Sequence, residues 1–209
     1  MGWKIERWKT EVFPGKENIY SQYRDLTHRE LAIVAAGSLD AALAELLSLR
    51  LLDNASEYES FLGLNEDGRA PCGTFGARIQ LALLLGIITT TDASVLKTIK
   101  NIRNKFAHRV NIDFTSPQLT PLVISLHDIM LAQRNGLITQ GLLKATPEKV
   151  DEIRPYLTST PEAGAGLLHA VFAVYQAYFN RLHSLIQRVD AVRSKAVRKK
   201  KSALTSPDN

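Results

Sequence analysis

Residues 103–108 read Arg-Asn-Lys-Phe-Ala-His. An imidazole gives and takes protons near neutral pH, and a guanidinium presents a permanently charged planar fork to phosphate oxygens. A carboxamide can orient either of them by hydrogen bonding. Together these groups suffice to cut a phosphodiester without a metal. His108 would move protons during attack of a ribose 2′-hydroxyl, Arg103 would steady charge on the pentacoordinate phosphorus, and Asn104 would position. One helix supplies one imidazole, so acid and base together need a second copy, most simply a symmetry-related subunit. The plainer reading of such residues is a polar helix face in water. It is the combination of residue types that brings the catalytic reading forward.

These side chains need a helix to carry them. At about 100° per residue, Val95, Ile99, Ile102, Phe106 and Val110 form one apolar stripe that packs inward. Arg103 and Ala107 lie on its flank. Asn104 and His108 point away from Phe106, and Lys97 and Asn101 continue that outer face. The core therefore requires neither Asn104 nor His108. Lys97, Lys105 and Arg109 are basic neighbours that would extend a nucleic-acid surface.

The rest of the chain also reads as helix, and the fold expected is an all-α bundle with a long C-terminal helix. An arm over residues 1–26 carries Trp3, Trp8 and Phe13 as staples. The bundle proper spans 27–135. Thr27 to Glu30 is a capping box, opening a helix through Leu31, Val34, Leu39, Leu43 and Leu47 that Asp53-Asn54 end. Residues 54–72 read as irregular. A second helix runs from Thr74 to Leu85, stopped by Gly86. The motif helix follows, with Asp92 in its first turn, and Asn135-Gly136 close a fourth helix. A connecting segment, 136–160, holds a short helix at Pro147–Ile153, ended by Pro155. Thr160, Pro161 and Glu162 then read as the cap and first turn of a helix over 161–200. Along it Leu168, Tyr175, Leu182, Val189 and Ala196 recur every seven residues, with Phe172, Phe179 and Ile186 between them. That seam suits packing along the protein's own bundle at least as well as a two-chain coiled coil. A polar tail, 201–209, ends the chain.

Bulk properties narrow the classes. The chain has 45% apolar and 22% charged residues, enough for a sizeable core. One cysteine, Cys72, excludes an internal disulfide and fits a reducing compartment. No signal-peptide run or uninterrupted apolar span stands out, so a cytoplasmic protein without a membrane partner is expected. The net charge is +5, concentrated at Arg193, Lys195, Arg198, Lys199, Lys200 and Lys201. This basic tip would add counterion-release affinity for nucleic acid, or is simply a solvated helix end favoured by the helix dipole. His127, His169 and His183 are isolated and lack metal spacing, so no metal or cofactor is expected. Arg78 lies on an apolar helix and must be paired, with Asp40 or Glu45 as partner; a lesser alternative lines it along the same cleft as Arg103, among the nucleic-acid contacts. Gly73 and Gly76 at the start of its helix would let a backbone or a phosphate approach, although no Walker lysine-serine pair follows.

The motif has a known counterpart. Arg103-Asn104-Lys105-Phe106-Ala107-His108 resembles the Arg-x4-6-His motif of HEPN-domain proteins, with a polar residue after the arginine. That resemblance implies a small helical bundle that dimerises so that two motifs share one cleft. Many members are metal-independent ribonucleases of toxin–antitoxin and phage-defence systems, and others are non-catalytic. His108 would be the acid–base residue, Arg103 the phosphate-facing charge and Asn104 the positioning residue. Over most of residues 27–190 the chain is also similar to the mannitol operon repressor family, through the run GTFGARIQLALLLGIIT, the motif helix and DFTSPQL. That family implies an all-helical, dimeric regulator without a helix-turn-helix. The intact motif departs from its pattern and shifts weight from mannitol genes towards the ribonuclease. Three functions follow as expectations, the first two nearly level. They are a mannitol-repressor-like regulator acting through nucleic acid or partner proteins, a HEPN endoribonuclease with a composite dimer site, and a non-catalytic interaction scaffold. The partners expected are a second copy of the chain, RNA or DNA, and an antitoxin or regulatory protein.

Overall fold

The computed structural model describes residues 26–51, 54–64, 69–140 and 154–204, with the backbone alone for residues 55, 138 and 192–204. The expected aromatic arm, the short helix at Pro147–Ile153 and the end of the polar tail lie outside the described residues. The elements are α1 (His28–Ser48), α2 (Ala55–Leu62), α3 (Phe75–Leu84), α4 (Thr90–His108), α5 (Thr120–Thr139) and α6 (Pro161–Leu204). No strand occurs among the described residues, and the fold is an all-α bundle.

α1 starts at a complete capping box. The Glu30 N–H donates to Thr27 Oγ1 at 3.3 Å, and the Thr27 N–H donates to Glu30 Oε2 at 2.8 Å. Leu31, Leu39, Leu43 and Leu47 are buried, and Ala32, Ala35, Ala36 and Ala42 let neighbouring helices come close. α1 is long and apolar enough to cross a membrane, with a mean hydropathy of 1.6 over its most apolar window. Its position explains that composition, because 67% of the window is buried inside the bundle. α3, α4 and α6 all pack against it, and α5 packs against α4 and α6. His28 and Gly164 both meet Phe114 at one end, while Arg50 reaches Asp190 at 3.9 Å at the other, so α1 and α6 run parallel.

α6 belongs to the same core. Leu168, Val171, Phe172, Tyr175, Phe179 and Ile186 join one hydrophobic cluster with α1 and α4. The heptad seam therefore closes on the chain's own bundle over its first half and drifts outward at Val189, which is 44% exposed. The expected start holds, with the Ala163 N–H donating to Thr160 Oγ1 at 3.2 Å.

Several boundaries differ from the sequence expectation. α1 stops at Ser48, ahead of Asp53-Asn54, because the N–H groups of Leu49, Arg50 and Leu51 turn back onto the Glu45 and Leu47 carbonyls. Residues 54–72 are not wholly irregular. They include α2, which buries Leu62 and ends on Gly63 at φ 66°. α5 continues through Asn135-Gly136 to Thr139, with the Gln140 N–H bonded to the Gly136 carbonyl at 3.1 Å. A glycine costs about 1 kcal/mol inside a helix, and the packing of α5 on α4 and α6 outweighs it.

Candidate functional site

The apolar stripe of α4 is buried as the spacing predicts, with Val95, Ile99, Ile102 and Phe106 all at 0% exposure. Val110 departs from it. The helix ends at His108, and Arg109 turns extended at φ −133° and ψ 130°. Residue 110 is thereby rotated off the helical face, and Val110 is 88% exposed.

The end of α4 has no glycine cap. The guanidinium of Arg29, in the first turn of α1, takes that role. Its Nη1 donates to the Phe106 carbonyl, and its Nη2 donates to the carbonyls of Arg109 and, at 2.7 Å, Val110. Beneath this turn Phe106 and Phe114 pack with centroids 5.0 Å apart, and His28 meets Phe114 edge-on at 5.7 Å. Gly164 comes so close that a Cβ there would lie 2.5 Å from Phe114 Cβ. Asp113 then fixes the loop, accepting from the Thr115 N–H at 2.9 Å and the Thr115 hydroxyl at 2.7 Å. The Thr115 hydroxyl leads in holding the Asp113 carboxyl below the usual carboxylate range. His108 thus stands on open surface above a turn whose backbone is tied down from several sides.

The structure brings together part of the motif. Arg103 is exposed, and its Nη1 donates to Asn104 Oδ1 at 3.0 Å. Arg103 also borders a cavity of about 230 Å³ with Lys100, Gly37 and Asp40 of α1, and Thr74 and Phe75 at the start of α3. His108 does not line that cavity. It is exposed, about 7.5 Å further along the helix axis. Lys97 is exposed and Lys105 half-buried on α4, and Arg109 is exposed just beyond its end. Lys199, Lys200 and Lys201 are on the helical backbone of α6, but their side chains lie outside the described residues.

Arg78 requires a correction as a nucleic-acid contact. It is buried, and its guanidinium donates to Asp40 Oδ1 at 2.7 Å, the Leu62 carbonyl at 2.6 Å and the Cys72 carbonyl at 3.0 Å. With those bonds made inside the fold, it offers nothing to a phosphate. Its role is the structural one, with Asp40 as partner, tying α3 to α1 and to the loop after α2. Burial raises the Asp40 carboxyl above its ordinary range, opposed by the positive charges of Arg78 and Arg103. Cys72 is buried and unbridged.

Two residues of the site were not singled out by sequence, and each had a signal. A cation in the first turn of a helix opposes the helix dipole, so Arg29 needed a partner elsewhere. Lys100 and Arg103 are like charges three residues apart on one helix side, an arrangement with a cost unless something anionic joins them. Among the described residues no three His, Cys, Asp or Glu side chains form a metal-binding group. Comparison of the chain with protein-family models, with curated proteins and with solved structures found no match.

Proposed function

We propose that this chain is a metal-independent endoribonuclease whose active site is completed by a second copy of itself. The observation carrying this reading is the charge arrangement on α4. Arg103 and Lys100 line a concave site, neither of them with a carboxylate in ion-pair contact among the described residues, and His108 is presented on the same helix from a braced turn. Two such chains facing each other would supply two imidazoles. One His108 takes the proton of the ribose 2′-hydroxyl as its oxygen bonds to phosphorus. His108 of the second copy protonates the departing 5′-oxygen. The products are a 2′,3′-cyclic phosphate and a 5′-hydroxyl end, with no proton left over. Arg103, oriented by Asn104, meets the extra negative charge of the pentacoordinate phosphorus. The exposed Val110 beside His108 gives the second copy an apolar contact.

Incubation of the purified chain with single-stranded RNA in EDTA tests the reading. The expected result is cleavage to cyclic-phosphate ends that disappears in His108→Ala. Cleavage that persists in this variant, or a wild-type chain that leaves RNA intact, sinks it.

A second reading is a non-cleaving regulator of the mannitol-repressor type, bound to nucleic acid or to a partner protein. One observation favours it: a single chain offers one imidazole, on open surface and away from the cavity that Arg103 lines. Nucleic-acid binding that is unchanged by His108→Ala, without cleavage, would select this reading.

A further inference from the structure

The cavity between α1, the start of α3 and α4 has a composition that neither core packing nor the motif explains. Two cations project to it from successive turns of α4, Lys100 and Arg103. Among the described residues neither has a carboxylate within ion-pair distance, and Lys100 makes no hydrogen bond. Its ammonium lies over the first turn of α3, where a Cβ on Gly76 would be 3.6 Å from Nζ. The one acid in the lining, Asp40, is already held by Arg78 at 2.7 Å, so its charge is balanced within the fold. The cavity is therefore net cationic. Glycine at position 37 keeps the α1 wall open, since a Cβ there would meet nothing within 4 Å. On the α3 side Thr74 occupies the Ala77 N–H at 3.2 Å, while the N–H groups of Phe75 and Gly76 have no acceptor among the described residues.

We propose that this cavity is a binding site for one phosphate group, held by Lys100 and Arg103. Resting on the ribonuclease reading above, the group is the phosphate of an RNA strand next to the one that is cut. About 230 Å³ suits a single tetrahedral anion with some of its water, and it is too small for a whole nucleotide beside the lining side chains. Arg103 then serves two neighbouring phosphates at once. Lys100, which plays no part in the cleavage step, serves the outer one alone. Positive charge delivered by a lysine and an arginine from one helix also fixes the strand's direction along α4 towards His108.

The test is an amide-resonance titration of the full chain, first with inorganic phosphate and then with a 2′-deoxy oligonucleotide, which no 2′-hydroxyl attack can cleave. The proposal expects saturable shifts at Gly73, Thr74, Phe75 and Gly76 with phosphate, absent with chloride at equal ionic strength. It expects Lys100→Gln to weaken phosphate about tenfold, the loss of one charge-assisted contact. Gly37→Leu, which fills the cavity without altering charge and favours helix, should remove the shifts altogether. The oligonucleotide should displace the phosphate. No saturable shift, or shifts that both variants leave intact, overturns the site. Phosphate binding that the oligonucleotide fails to displace overturns the RNA assignment and gives the site to a free phosphorylated compound. None of these readouts requires cleavage, so an inactive chain that binds phosphate here would defeat the ribonuclease reading and leave the site standing.

Discussion

The two ends of α4 handle charge in opposite ways. At the N-terminal end Asp92 is buried and every interaction it makes is internal. Its Oδ2 accepts from the Thr89 N–H at 2.9 Å and the Thr89 hydroxyl at 2.8 Å, and its Oδ1 accepts from the Tyr175 hydroxyl at 2.9 Å. Tyr178 adds a longer contact at 3.5 Å. One carboxylate thus closes a capping box and bolts α4 to α6. At the C-terminal end, by contrast, the basic and imidazole side chains face outward. Arg103, His108 and Arg109 are exposed, and the terminal carbonyls are satisfied from another helix by Arg29. The lesson is a division of labour within one element. Charge satisfied by hydrogen bonds inside the fold holds the helix in place, and exposed charge without an ion-pair partner among the described residues is what remains for a ligand.

Substitutions at the two ends should therefore separate stability from activity. The largest effect is expected for His108→Ala, a loss of roughly 10²–10⁴-fold in RNA cleavage, the usual share of a positioned acid–base group. Its thermal midpoint should match that of the wild type. A large drop in midpoint would mean that this end too is structural, and the contrast would fail. Next, Asp92→Ala removes the carboxylate half of the capping box, leaving the Thr89 hydroxyl to accept from the backbone N–H of residue 92, and leaves the Tyr175 hydroxyl buried without its acceptor. A loss of about 3 kcal/mol in denaturant unfolding is expected, with phosphate binding by the folded fraction unchanged. Arg29→Ala should cost about 2 kcal/mol, because three terminal carbonyls lose a charged donor. It should also slow cleavage, since the turn below His108 loosens. Arg29→Lys should recover little of either, because an ammonium cannot span the carbonyls of Phe106, Arg109 and Val110. If Arg29→Ala changes stability alone, the turn does not position His108.

A smaller effect concerns pH. Burial, reinforced by the Asp92 carboxylate, pushes the Tyr175 and Tyr178 hydroxyls above the ordinary tyrosine range. Below pH of about 10, the ordinary tyrosine value, both folded and unfolded chains keep these protons and stability is unaffected. Above it the unfolded chain releases them while the folded chain retains them, so stability falls as pH rises. Unfolding midpoints measured between neutral and alkaline pH should show that fall, and Tyr175→Phe should flatten it. Smallest of all is a correction of a buried defect on α6. Gln176 is 1% exposed and neither polar atom of its amide has a partner among the described residues. Gln176→Leu should stabilise by about 1 kcal/mol, without effect on cleavage.

Much of the fold was legible in the chain because it is written locally. Thr27–Glu30 and Thr89–Asp92 are starts that a short stretch of residues decides, and Thr74 with Gly86 brackets α3 by side-chain bonding and a positive φ of 66°. The stripe from Val95 to Phe106 follows from helical geometry alone. Boundaries that depend on distant partners were less legible. α5 runs through Asn135-Gly136 because α4 and α6 pack against it, and Val110 leaves the stripe because the helix has already ended. The site divided in the same manner. Arg103 and His108 could be picked out by residue type and spacing. Lys100 became part of it only because α1 and α3 close a cavity around it, and Arg78 left it only because Asp40, Leu62 and Cys72 claim its guanidinium.

By itself the sequence determined most of the helices, their starts, their apolar faces and the supply of an arginine, an asparagine and a histidine within two turns of one helix. These depend on interactions within a few residues, where the spacing is set by the helix. Only the tertiary structure decided which charges are neutralised and which remain available. Ion pairs and charged hydrogen bonds act across a few ångströms of space, and residues as far apart in the chain as Arg29 and Val110, or Asp40 and Arg78, meet only once the bundle has closed.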